Sequence, residues 1–336
     1  MDRRFRNPPT RWPTLPEHFL AVIVSRLHSV DDVLRLRSVC KSFRAIVPSP
    51  FQSLVPLLVQ RTSFPIGPTP SRRCGHFLLT ESTVYAIEPL HEVASSAETT
   101  LTWLVKIEES DSGEVRLKDP FNGFRFQKLC NKLPKSVNLL DYRIKEITRA
   151  YRLELGTIGK GTSRLYSNKV YQKSTIFVKV AVGTDVDKFA FMAIHRTRRL
   201  FVWKHGDEML TQLDIAPNDF RDLIFHNKKF YALASTGQTL IVDSMSFGVS
   251  TVSKLDGLIG RSYLLKSSEN LFMVNRDWEI EWEIEPLRWS LKVFKLDEEK
   301  HEWVRVVDGL EDTVLFVGDD CSFSVSAKEF AGYEGN

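Results

Sequence analysis

The sequence predicts a two-part chain, α+β multidomain in class: a small three-helix module followed by an all-β propeller. Three observations carry this expectation. Residues 12–47 set apolar side chains at three- and four-residue spacing, the period of a helix with one buried face. Beyond residue 75 the chain breaks into short runs rich in Val, Ile, Phe, Tyr and Trp, bounded by Gly, Asn, Asp or Ser, which is how strands read. The segments Asp222 to Leu233 and Tyr263 to Val274 both read as strand, polar turn, strand, and they start 41 residues apart. A hairpin unit recurring at that interval is the signature of a propeller blade. The stretch 76–336 would then hold about six blades at roughly 40–45 residues each, the last of them incomplete.

The helical module is justified residue by residue. Pro16 suits the first turn of a helix, where its missing N–H had no partner to lose. Phe19, Leu20, Ile23, Val24 and Leu27 follow as one apolar stripe. Ser29 with Asp32 reads as a capping-box variant at the start of a second helix, which carries Val33 and Leu36. A third carries Val39, Cys40, Phe43, Ile46 and Val47. Three helices in so short a span make too small a core to stand alone comfortably, so a partner surface is the natural place to bury the remainder.

The pair Leu15-Pro16, the series Leu20, Ile23, Leu27 and the run Leu36-Arg37-Ser38-Val39-Cys40-Lys41 stand in the order in which F-boxes show them, and residues 12–47 resemble an F-box. Phe43 departs from many plant members, which have Trp there. The resemblance implies a module that plugs into a Skp-family adaptor, and through it into a cullin–RING ubiquitin ligase. Leu15, Pro16, Leu20, Ile23, Leu27, Leu36, Val39 and Cys40 would form the adaptor-binding face.

Composition sets the compartment and the partners. The chain is 43% apolar and 26% charged, ordinary globular material. No stretch approaches the roughly 20 apolar residues of a membrane helix, and the N-terminus lacks a secretory signal's apolar region. Cys40, Cys74, Cys130 and Cys321 are scattered, without zinc-chelating spacing. A reducing compartment is expected, nucleus and/or cytoplasm. Residues 1–73 hold 12 Lys+Arg against 4 Asp+Glu, while the rest of the chain holds 34 against 38. That basic front suits an acidic protein partner, which is what F-box adaptors are, more than nucleic acid. Residues 1–11 read as a basic flexible tail, with Arg3, Arg4, Arg6 and Arg11 solvated or serving as a weak import patch. Six of the 15 prolines fall between Pro48 and Pro70, so residues 48–75 read as a semi-stiff linker with a short helix through Phe51–Val59.

The C-terminal part carries a second resemblance. The runs Leu291 to Val304, Thr313 to Asp319 and Cys321 to Ala327, with Leu117 to Pro120 and Phe230 to Ala232, are similar to the KIB-type β-propeller of a large plant family of F-box proteins. Met209 and Leu210 stand where that family usually has a Trp. The chain also stops at Asn336, where relatives commonly run on through another strand.

Nothing in the sequence reads as catalytic, and no metal or cofactor is expected. Gly159-Lys160-Gly161 misses the spacing of a phosphate loop and has no helical pattern behind it. His195 and His205 lack a carboxylate at ligand spacing, and no nucleophile elbow or zinc-protease helix appears. Two surface features are candidates for holding a target. Glu279, Glu281, Glu283 and Glu285 alternate with Ile280, Trp282 and Ile284, so a strand there would present a wholly acidic face; its plainer reading is an outer strand guarded by charge. Arg196, Arg198 and Arg199 form a basic hairpin tip. The function expected is a target-recognition subunit of a ubiquitin ligase, with the propeller holding an unknown protein. The alternatives are a scaffold or competitor that binds the adaptor without ubiquitylation, a propeller enzyme, and a nucleic-acid binder.

Overall fold

In the computed structural model the described residues are 15–27, 30–47, 60–65, 72–90, 102–109, 115–124, 141–158, 171–174, 176–185, 188–207, 210–252, 254–255, 258, 260–279, 288–307, 309–310 and 312–330. Three helices come first: α1 (Glu17–Val24), α2 (Val30–Ser38) and α3 (Lys41–Ile46). Pro16 sits one residue outside α1, with extended backbone at ψ 145°, and its carbonyl accepts from Phe19 N at 3.0 Å. Leu20, Phe43 and Val47 are all but fully buried and form the module's centre. The Arg37 guanidinium donates to the Val47 carbonyl, tying α2 to the end of α3. Ser29 lies outside the described residues, while Asp32 pairs with Arg35 at 3.1 Å.

All else is strand. The first sheet holds β1 (Gln60–Pro65), β2 (Arg72–Pro89), β3 (Trp103–Glu109), β4 (Val115–Lys118), β5 (Tyr142–Ile158) and β6 (Tyr171–Ser174). Its long strands β2 and β5 pair along their length. At one end they carry β1 and β6, at the other β3 and β4. Three four-stranded meanders follow: β7 (Phe177–Asp185), β8 (Lys188–His195), β9 (Leu200–Lys204), β10 (Thr211–Gln212); then β11 (Phe220–His226), β12 (Lys229–Ala234), β13 (Thr239–Asp243), β14 (Val249–Val252); then β15 (Arg261–Ser267), β16 (Asn270–Glu279), β17 (Arg288–Asp297), β18 (Glu302–Arg305). A two-stranded sheet, β19 (Thr313–Phe316) with β20 (Phe323–Ser326), ends the series.

The two hairpins that read alike in the sequence, β11–β12 and β15–β16, open successive sheets. Part of the span expected as linker is instead hydrogen-bonded sheet, because Gln60–Pro65 pairs with the start of β2. The expected helix at 51–59 lies outside the described residues. The 17-residue strand β5 is among the longest described, although charged residues interrupt its apolar positions.

The sheets stack face to face in a ring. Apolar clusters fill each seam: Leu79 and Leu153 against Phe177 and Phe191; Met192 and Val202 against Phe230 and Leu240; Tyr231 and Leu233 against Leu264 and Met273; Leu265 and Val274 against Leu315 and Val317; and Phe323 and Cys321 against Val84 and Ala150. The last seam joins the final sheet to the first and closes the circle. Burial on both faces explains why β12 reads Lys-Phe-Tyr-Ala-Leu-Ala with almost no polar alternation, since five of its six residues are buried. The described residues thus give four sheets of four or more strands and a fifth of two. The count read from repeat length was about six.

The inner strands, β5, β7, β11, β15 and β20, contact one another in that order, and β20 returns to β5. Asp222 locks three of them. Its Oδ1 meets Lys179 Nζ of β7 at 3.0 Å, and its Oδ2 accepts from Leu264 N of β15 at 2.7 Å. Its own strand supplies a further donor, Leu223 N at 2.9 Å. Burial alone would depress the Lys179 ammonium, but Asp222, together with Cys321 and Asp320, holds it above its ordinary range. Replacing Asp222 by Ala strands a buried cation and two buried amides. Such a loss costs about 3–5 kcal/mol, and urea unfolding of Asp222→Ala should show a midpoint well below that of the parent chain.

Candidate functional site

Two surfaces and one cavity compete for the role. The first surface belongs to the helices. Phe19, Val22 and Ile23 of α1 and Val39 beyond α2 are 52%, 50%, 38% and 55% exposed, and Pro16 is exposed beside them. The helix α1 is apolar around most of its circumference, Phe-Leu-Ala-Val-Ile-Val, but only Leu20 is fully buried. The module is too small to cover the remainder. A cluster of large apolar side chains left in water on so short a segment marks a docking face.

The eight expected adaptor residues divide by position. Pro16, Ile23 and Val39 are exposed; Leu15, Leu27, Leu36 and Cys40 are half-buried. Leu20 faces inward at 0% exposure and supports the face from behind. Cys40 has a local duty that its spacing did not reveal: its Sγ accepts from Phe43 N at 3.4 Å and caps α3. Val22, outside the stripe read from the sequence, is among the most exposed of the group.

The second surface is the end of the ring where the inner strands begin. The β8–β9 turn places Arg196, Arg198 and Arg199 there, with Arg198 at φ 65°. The turn is pinned from both sides, since Arg196 N donates to Ile176 O at 2.8 Å and Arg198 O accepts from Phe220 N at 3.0 Å. His195 closes its base, accepting from Thr197 N at 3.1 Å; burial and then the Arg196 charge push its imidazole below the ordinary range. Of the acidic strip, Glu279 ends β16 opposite Arg288. Its side chain and Glu281, Glu283 and Glu285 lie outside the described residues, as does the loop at 159–163.

The cavity is the channel inside the ring. It measures about 410 Å³ and is lined by β5, β7, β11, β15 and the approach to β20. Several charged groups in and beside its walls are engaged with one another. Lys106 pairs with Asp320, Arg152 reaches the same carboxylate at 3.6 Å, and Arg149 reaches Glu81 at 3.3 Å. Tyr151 is pushed up to about 12 by burial and then by Glu81, so its hydroxyl stays protonated near neutrality. Burial likewise raises the Cys321 thiol, against the lowering pull of Lys179 and Lys106. Among the described residues, no group of three or more His, Cys, Asp or Glu is placed to hold a metal. This is a channel whose walls are cross-braced by ion pairs.

The burial pattern of the helical module separates support from contact. Leu20→Ala removes a fully buried side chain, a change that costs about 2–5 kcal/mol in typical cores, so hydrogen exchange across residues 17–46 should accelerate sharply. Val22→Ser and Val39→Ser, at exposed positions, should leave that exchange unchanged.

Comparison with known proteins finds matches to both the helical and the strand-rich part of the chain. A family model described as F-box-like matches residues 12–53, and one described as KIB1-4 beta-propeller matches residues 76–336. F-box protein SKIP23 of Arabidopsis thaliana is 26% identical, over 95% of this chain and 80% of its own length. Putative F-box protein At5g60060 of the same plant is 30% identical, over 96% of this chain and 86% of its own. F-box protein At2g26160 is 26% identical, over 96% and 92%. The propeller model spans well over half of the sequence, and the chain belongs to the family of F-box proteins with a KIB1-4 β-propeller.

Proposed function

We propose that this chain is the target-recognition subunit of an SCF-type ubiquitin ligase: the helical face docks on a Skp-family adaptor, which brings a cullin, and the propeller holds the protein to be modified. The observation that carries this reading is the exposed cluster Phe19, Val22, Ile23 and Val39 on a module whose own core is spent on Leu20, Phe43 and Val47. The chain's part is then proximity. Tethering converts attack by a target lysine on the charged enzyme into an effectively intramolecular event, so no catalytic group of its own is required. The free thiols Cys40 and Cys321 fit work in a reducing nucleus or cytoplasm.

Truncating an anchor at the centre of such an interface typically costs 2 kcal/mol or more, roughly a thirtyfold loss of affinity. Ile23→Ala with Val39→Ala should therefore weaken capture of a purified Skp-family adaptor by at least that factor, while unfolding of the propeller is unchanged. Equal capture by variant and parent would sink the reading. Ubiquitin-chain formation by the reconstituted complex separates a working receptor from a scaffold that only occupies the adaptor.

A further inference from the structure

Arginines far apart in the sequence converge at one end of the ring. Lys179 and Asp222, each the third residue of its strand, meet at 3.0 Å, and Asp222 also holds Leu264 N near the start of β15. The inner strands therefore begin at the same end. Arg221 is the second residue of β11 and Arg261 the first of β15, and Arg276 lies opposite Arg261 across the β15–β16 pair. The β8–β9 turn arrives at the same end because His195 pairs with Phe177, the first residue of β7. Arg198 feels the charges of Arg221 and Arg261, which, after burial, hold its guanidinium down.

Between the β11–β14 and β15–β18 sheets this end opens into a cavity of about 380 Å³. Arg221, Arg261 and Arg276 line it together with Ser235 and Ser262, and no carboxylate is among its described lining residues. The carboxylates nearby are already engaged: Asp219 meets Arg221 at 2.8 Å, Asp319 meets Arg261 at 2.7 Å, and Asp277, next to Arg276, meets Lys292 at 3.4 Å. Arg221 and Arg261 nonetheless stay 43% and 47% exposed, and Arg196 and Arg199 are exposed as well. Guanidiniums concentrated from three sheets repel one another, and an incoming anion relieves that repulsion. The two ion pairs already formed show carboxylate as an anion these arginines hold at hydrogen-bond distance.

We propose that this arginine cavity, with the Arg196–Arg199 turn beside it, receives a run of Asp and Glu side chains on the protein to be captured. The inference rests on the receptor reading for its biological sense, since it names the kind of segment the propeller grips. Its occupant is an acidic peptide segment, and affinity comes from guanidinium–carboxylate pairs that a glutamine cannot make.

The test uses the full chain and fluorescent ten-residue peptides, one Glu-rich and one with every Glu replaced by Gln. The Glu peptide should bind in a salt-sensitive way and the Gln peptide should not. Arg221→Gln with Arg261→Gln should lower affinity by about tenfold or more, as expected for lost charge-assisted bonds. Because that pair also releases Asp219 and Asp319, Arg196→Gln with Arg199→Gln serves as a second variant at exposed positions and should weaken binding too. Equal binding of the Glu and Gln peptides overturns the proposal. So does binding of a phosphoserine peptide or single-stranded DNA where the Glu peptide fails. Acidic-peptide binding that survives Ile23→Ala with Val39→Ala supports the rim site whatever becomes of adaptor capture, so the two readings fail separately.

Discussion

The Asp222 carboxylate is the point at which the ring is held together. A propeller's sheets are joined chiefly by apolar seams, which are strong but unselective: any two strand faces of the right volume can slide past each other. A buried carboxylate that must satisfy an ammonium on β7, an amide on β11 and an amide on β15 permits one alignment. Similar polar stitches occur farther out. Trp303 Nε1 donates to Thr239 Oγ1 at 3.1 Å between neighbouring sheets. Glu298 accepts from Asn227 at 2.9 Å and lies 3.1 Å from His226, and Ser324 Oγ reaches Lys266 O at 2.9 Å. The seams supply the burial energy and the stitches set the register, which in turn brings the rim arginines together.

The sequence and the structure agree where side chains face a plain environment. Short strands buried on both faces, such as Phe230 to Ala234 and Leu240 to Asp243, announce themselves by apolar runs, and the structure has them within a residue or two. The helices were legible for the complementary reason, since one face is buried and the rest is wet. β5 was harder to read because its environments are mixed. Ala150 and Leu153 face apolar seams, while Arg149 and Arg152 pair with Glu81 and Asp320 beside the channel, so charged residues interrupt the apolar pattern. Proline density reads as linker, yet among the described residues Gln60–Pro65 pairs with β2 alone, and such an edge strand tolerates a proline.

The candidate sites follow the same division. That α1 would leave an apolar face exposed was readable from its spacing, although which residues face out was not: Leu20 sits at the centre of the stripe yet turns inward, because the short core against Phe43 and Val47 claims it. The rim was readable only at Arg196 to Arg199, which are consecutive. Arg221, Arg261 and Arg276 are isolated in the sequence; strand pairing sets Arg276 opposite Arg261, and ring geometry brings Arg221 of the preceding sheet beside them. A feature assembled from separate strands and sheets leaves no local trace.

The closing seam has a consequence for how the chain is made. Phe323 and Cys321 cover Val84 and Ala150, so the first sheet to leave the ribosome obtains its second neighbour only after nearly the entire chain has been synthesised. Through most of translation the nascent protein holds a finished helical module and an arc of sheets with one face uncovered. Non-local pairing of this kind is slow and exposes apolar surface while it waits. A message cut short before residue 323 would yield a product whose helical module is complete while its ring stays open. The cell's chaperones and proteases would meet an arc with an apolar sheet face uncovered.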